Sequence, residues 1–206
     1  MLEGITAGFI LSLTLFPGTV WLIKVGVGGT AAQAIAVGLG FWLSQLIWLC
    51  VAIPGLMMMY AHLQVIRGGM HLFAAFVLGY MALKFFKAPR VQLLDDVQGL
   101  APATTLFRNA FNQSLAMPMR LPAAMAILLA TGVFINHRAN WEAVPEIMLG
   151  AVLGVSWWWG QFTCLAILFV RQVSYGITMR SLNKMRPFCS VLCLLLAGFS
   201  LVLGLN

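Results

Sequence analysis

Few polar side chains interrupt the long apolar runs of this sequence, and those few carry whatever chemistry the chain performs. One group is Thr14-Leu15-Phe16-Pro17-Gly18-Thr19. Proline removes a backbone donor and crowds the turn before it, and glycine loosens a helix further. Such a break survives in lipid only where the freed carbonyls meet protein or water. Either Thr14 and Thr19 satisfy those carbonyls, or the broken backbone lines a binding site.

A second group runs from Asn112 and Ser114 through Met117-Pro118-Met119-Arg120 to Pro122. Arg120 is the one charge that falls well inside an expected span. A buried arginine is expensive in a membrane and points to function. Its planar fork suits a carboxylate or a phosphate. The alternative is a span that begins later and leaves Arg120 snorkelling to the surface.

The third group is Gln45 and Gln161, which close two similar strings, Gly38-Leu39-Gly40-Phe41-Trp42-Leu43-Ser44-Gln45 and Gly154-Val155-Ser156-Trp157-Trp158-Trp159-Gly160-Gln161. The glycine, the central tryptophan and the glutamine are identical. These amides either hydrogen-bond between helices or face a shared cavity near the bilayer midplane. The echo extends outward in the same order, with Pro17 and Pro118 upstream, and Ala74–Leu78 and Ala197–Leu201 downstream. The chain therefore reads as two related halves.

No Asp or Glu falls deep inside an expected span, and His62, His71 and His137 lie near loops. A carboxylate proton relay is missing, and no catalytic triad, metal cluster or phosphate loop is present. Cys50, Cys164, Cys189 and Cys193 lie within apolar segments and form no C-x-x-C pair, and Cys189 and Cys193, four apart on one helix face, read as inert buried thiols. Neither an enzyme, a cofactor nor a metal is expected.

The elements that hold these residues follow from composition. The chain is 62% hydrophobic and 8% charged, with mean hydropathy +0.96. A soluble domain carries about 25% charged residues. The sequence predicts an all-α integral membrane protein, because its apolar runs are continuous rather than alternating. Six runs of about 20 residues qualify as spans: Leu2–Ile23, Ala31–Met59, Arg67–Phe86, Leu106–Phe134, Ile147–Val170 and Phe188–Leu205. Gly4/Gly8, Gly40/Ser44, Gly150/Gly154 and Ser156/Gly160 each place small residues on one helix face, where backbones approach closely.

The net charge of +7 reads as cytoplasmic flanks of membrane spans, not as a nucleic-acid surface. Lys24, Lys84, Lys87, Arg90, Arg108, Arg171, Arg180, Lys184 and Arg186 fall on one side of six alternating spans. Arg67 and Arg138 fall on the other, with Glu3, Glu142 and Glu146. By the positive-inside rule both termini are then periplasmic in a bacterial inner membrane. Three spans per half is an odd number, so the halves insert with opposite orientation. Residues 1–86 form the first three-helix repeat, 87–105 a cytoplasmic linker with Asp95 and Asp96, and 106–206 the second three-helix repeat.

With these features the chain resembles the lysine exporter and homoserine/threonine exporter superfamily (LysE/RhtB-like), small six-span proteins built from two three-span repeats. Pro17-Gly18-Thr19 stands where that family has a Pro-Gly-Pro break, and Pro118 with Arg120 where it has Asn-Pro-Lys. Gly28-Gly29 through Gly40 is similar to its glycine-rich loop and second span, with Gln45 in place of a common acidic residue. Phe73–Tyr80 through Leu83-Lys84 resembles the end of its third span. The resemblance implies a secondary transporter that exports an amino acid or related small metabolite, driven by the proton gradient.

The expected site comprises Thr14, Pro17, Gly18, Thr19, Gln45, Asn112, Ser114, Pro118, Arg120 and Gln161, with Arg120 on a substrate carboxylate. The partners expected are a carboxylate-bearing small molecule and the lipid bilayer, with a homo-oligomer or a larger membrane complex left open. A LysE-like subunit that docks in such a complex without transporting is the alternative function.

Overall fold

Apolar continuity decides the class of structure, since a backbone in lipid must satisfy its own polar groups. The computed structural model describes residues 1–62, 67–90, 100–133, 141–168 and 175–205. Among the described residues the chain is helical: α1 (Leu2–Leu13), α2 (Phe16–Gly28), α3 (Ala31–His62), α4 (Arg67–Lys87), α5 (Ala103–Leu115), α6 (Arg120–Ala130), α7 (Val144–Leu168) and α8 (Tyr175–Leu205). A short 3₁₀ turn, Trp141–Ala143, leads into α7. Four helices, α3, α4, α7 and α8, are long and apolar enough to cross a bilayer. Two pairs, α1 with α2 and α5 with α6, qualify only jointly, and they are bent by 66° and 67°. The chain thus has four candidate spans, or six when each bent pair counts as one.

One boundary differs markedly from the sequence expectation. The last helix begins at Tyr175 rather than Phe188, so Arg180, Lys184 and Arg186 ride on a continuation of the span that runs through Pro187. The two bends fall where the sequence is interrupted, at Pro17-Gly18 and at Pro118. Residues 91–99 of the linker, with Asp95 and Asp96, and His137, Arg138 and Arg171 lie outside the described residues.

Small residues set which helices meet. Helix α1 packs along α7, α3 along α5 and α7, and α4 along α8 and α6. A side chain on Gly154 would press on the Ile5 carbonyl and stand 2.8 Å from the Phe9 nitrogen. On Gly40 it would stand 2.8 Å from the Phe107 carbonyl oxygen and 3.2 Å from the Phe111 nitrogen. Hydrogen on these two α-carbons is what lets each neighbouring backbone in. Gly4 and Gly8 pack against Gly150 and Ala151 in the same way.

Around these crossings the core is filled by Phe41, Leu11, Leu22, Ile53, Leu56, Leu78 and Ile127, all under 3% exposed. Phe41 stacks on Trp159 with ring centroids 5.2 Å apart, and Phe9 meets Trp158 edge-on at 5.1 Å. Trp157 points out of the bundle, so two of the three consecutive indoles serve helix contacts. Leu39, Leu43, Ile47 and Val51 form an exposed stripe along α3, the surface that a hydrocarbon solvent accepts.

Contacts at the two ends of the bundle separate the charges. The N-terminal ammonium pairs with Glu146 at 2.8 Å. At the other end Arg186 donates to the Phe86 carbonyl at 3.3 Å, near Lys84 and Lys87.

Candidate functional site

The two breaks share one backbone pattern. At the first, Thr14 N–H donates to the Ile10 carbonyl, Leu15 N–H to Ser12 and Gly18 N–H to Leu15, each at 3.0 Å. At the second, Ala116 donates to Asn112, Met117 to Ser114 and Arg120 to Met117, at 2.8, 3.4 and 3.1 Å. All three bonds recur 102 residues on, which sets Arg120 where Gly18 stands in the first break. The prolines fit this pattern. Pro17 is the second residue of α2, Pro118 lies within the second break, and Pro122 is in the first turn of α6. Amides there have no intrahelical acceptor, so proline costs little.

Side chains close the first break. Thr14 donates its hydroxyl to the Leu11 carbonyl at 2.7 Å, and Thr19 to Leu15 at 3.5 Å. The Cys189 thiol of α8 takes the Leu13 carbonyl at 3.7 Å. The second break is left less complete. Ser114 Oγ and Arg120 Nη1 are both buried without a hydrogen-bond partner. Burying such groups unpaired costs free energy, steeply so for a charged one.

Arg120 is 6% exposed, and it lines a cavity of about 390 Å³. The walls come from three places: Thr14, Phe16 and Pro17 at the first break; Met117, Pro118, Met119, Arg120 and Ala123 at the second; and Tyr80, Met81, Lys84, Phe85 and Ala88 around the end of α4. Lys84 is exposed on this α4 flank, whereas Arg120 is buried. The helices before the breaks, 12 and 13 residues long, rise by roughly 18–20 Å at 1.5 Å per residue.

Of the residues singled out in the sequence, Thr14, Pro17, Pro118 and Arg120 line this one cavity. Gly18 and Thr19 are buried on α2 directly behind Pro17. Gln45 is fully buried elsewhere, in the seam between α1, α3 and α7. Its Oε1 accepts from Ser12 Oγ at 2.6 Å and from Trp159 Nε1 at 3.2 Å. The indole can only donate, which fixes the amide with its oxygen toward Trp159. Beside it Trp42 Nε1 donates to Ser156 Oγ at 2.9 Å. Gln45 is thus a helix-to-helix tie. Gln161 and Asn112 are exposed, and Ser114 is buried beneath the second break.

The α4 contribution, Tyr80, Met81, Lys84 and Phe85, was not singled out in the sequence as part of a site. Its only advance signal was Lys84 at the end of a span. Among the described residues no group of three His, Cys, Asp or Glu side chains could hold a metal, and all four cysteines are free. Compared with protein-family models, curated proteins and solved structures, the chain matches none.

Proposed function

We propose that this chain is a small secondary transporter that carries a carboxylate-bearing small metabolite, an amino acid or a relative of one, out of the cytoplasm. The observation that carries the reading is one cavity framed by two broken helices, with a buried, unpartnered Arg120 on its wall. Broken helices at membrane depth are tolerated where they line a cavity, and transporters place substrates there. A buried guanidinium lacking a protein partner is a ready seat for a carboxylate.

Within this reading the halves are inverted repeats related by an axis in the membrane plane. Support comes from the recurring bonds at the breaks and from the helix crossings. Ile5 and Phe9 meet Gly154 as Phe107 and Phe111 meet Gly40. That is the same contact with the halves exchanged, 102 residues apart on the first helices and 114 on the second. Trp42 bonds Ser156 and Gln45 bonds Trp159, and both pairs are also 114 apart. Equivalent positions meet across a dyad in this way. The cation-rich end of the bundle, with Lys84, Lys87 and Arg186, is the cytoplasmic one, and both termini are periplasmic in a bacterial inner membrane. The cavity, with Lys84 on its flank, then serves substrate arriving from the cytoplasm. The reading keeps the LysE/RhtB-like resemblance as its nearest analogy of plan.

The test is an untargeted comparison of metabolites in the medium of cells with and without the protein. Accumulation of one or a few small carboxylates outside expressing cells is expected. Identical profiles across growth conditions refute export.

A further inference from the structure

We infer that the cavity selects an organic anion with an apolar body and no cationic group, such as a branched or aryl 2-oxo monocarboxylate, over a zwitterionic amino acid; this rests on the reading of the cavity as a substrate site. Among the described residues the charges around it are one-sided. Arg120 is buried on the wall, Lys84 lies on the α4 flank, and no carboxylate is among the described lining residues. Of the described acids, Glu146 pairs with the N-terminus, Glu3 is in the first turn of α1, and Glu142 is in the turn before α7. All three belong to the opposite end of the bundle.

An ammonium leaving water needs three acceptors. The described lining side chains offer two hydroxyl oxygens as acceptors, those of Thr14 and Tyr80, and no carboxylate. Placing that ammonium beside a guanidinium in a low-dielectric pocket adds repulsion. A 2-oxo group in its place asks for donors, which a cationic pocket supplies. The rest of the wall is methionine, phenylalanine, proline and alanine, a surface for an aliphatic or aryl body. The volume of about 390 Å³ lies at the small end of the range of about 300–1,000 Å³ seen for ligand pockets.

The experiment uses matched probes on the full-length protein purified in detergent. Equilibrium binding is measured for 4-methyl-2-oxopentanoate, leucine and 3-methylbutylamine, which share one branched body, and for phenylpyruvate, phenylalanine and phenethylamine, which share an aryl one. At least one 2-oxo acid is expected to bind about tenfold or more tightly than its amino acid, and neither amine to bind. Arg120→Gln is expected to weaken that 2-oxo acid at least about tenfold, as loss of a desolvated charge pair does. Lys84→Gln changes an exposed residue, so it keeps the test valid if Arg120→Gln fails to fold, and it is expected to weaken binding several-fold. An amino acid that binds as tightly as its 2-oxo acid, with the same dependence on Arg120, overturns the selectivity and leaves the cavity as a substrate site. Binding indifferent to both substitutions overturns the cavity reading and the selectivity together. Absence of binding by both 2-oxo acids also overturns the inference.

Discussion

Replacing Gly154 by alanine inserts one methyl group where a helix backbone already sits. The new carbon would press on the Ile5 carbonyl oxygen, stand 2.8 Å from the Phe9 nitrogen and 3.0 Å from the Ile5 carbonyl carbon. None of these atoms is the end of a flexible side chain, so α1 and α7 must move apart. A gap of 0.5–1 Å forfeits about a quarter to a half of each dispersion contact along the seam. Overpacking of this kind costs about 1–3 kcal/mol, set against a gain of up to ~1 kcal/mol from alanine's helix propensity. Gly79→Ala, Gly160→Ala and Gly198→Ala carry the propensity gain alone, since nothing lies within 4 Å of a side chain at those positions. Unfolding of the purified protein by SDS titration measures both classes. Gly154→Ala should unfold at least about 1 kcal/mol earlier than Gly160→Ala, which sits on the same helix. Equal midpoints would show that the α1–α7 crossing is not held by backbone approach.

Other outcomes follow from the same contacts. Gln45→Leu strands the Trp159 indole donor and should destabilise the bundle by about 0.6–1.7 kcal/mol, whereas the exposed Gln161→Leu should be neutral or stabilising in the same titration; a larger loss at Gln161 contradicts the placement of the two amides. Ser190→Ala removes the 2.9 Å bond to the Ala82 carbonyl that ties α8 to α4, and a loss of about 1 kcal/mol is expected. Reporter fusions should read as periplasmic after Asn206 and cytoplasmic within 95–99; the opposite pattern removes both the orientation and the inverted plan.

Much of the fold is legible in the sequence because membrane spans, helix breaks and small-residue crossings each leave local signs. Pro17-Gly18 and Pro118 mark both bends, and Gly4, Gly8, Gly150 and Gly154 mark the α1–α7 seam. In the proposed reading of the halves as repeats, the register between them is not legible in the sequence. The matching strings align Gly38 with Gly154, an offset of 116, while the backbone contacts pair Gly40 with Gly154, an offset of 114. Two residues turn a helix by about 200°, enough to put Gln45 in the core and Gln161 on the surface.

Which apolar face meets protein and which meets lipid is equally hidden. Leu39, Leu43, Ile47 and Val51 on the outside of α3 look no different from Val37, Phe41, Leu49 and Ile53 inside it, because both solvents are apolar. The start of α8 was obscured by Arg180, Lys184, Arg186 and Pro187, which read as a loop but ride on a helix that outlasts its span. The α4 wall of the cavity depends on how α4 leans on α6, and no local pattern in the sequence encodes that.

Transport through the cavity is the central claim, and flux in reconstituted liposomes tests it most directly. Vesicles carrying the wild-type protein are given labelled leucine and labelled 4-methyl-2-oxopentanoate in separate experiments, with exchange against an unlabelled internal pool. The wild-type protein should move at least one of the pair above the rate of empty liposomes. Arg120→Gln should fall to that background, a loss of more than about tenfold, while Arg108→Gln, an exposed cation on α5 away from the cavity, keeps the wild-type rate. Equal flux through wild-type and Arg120→Gln vesicles, at matched incorporation, contradicts the account.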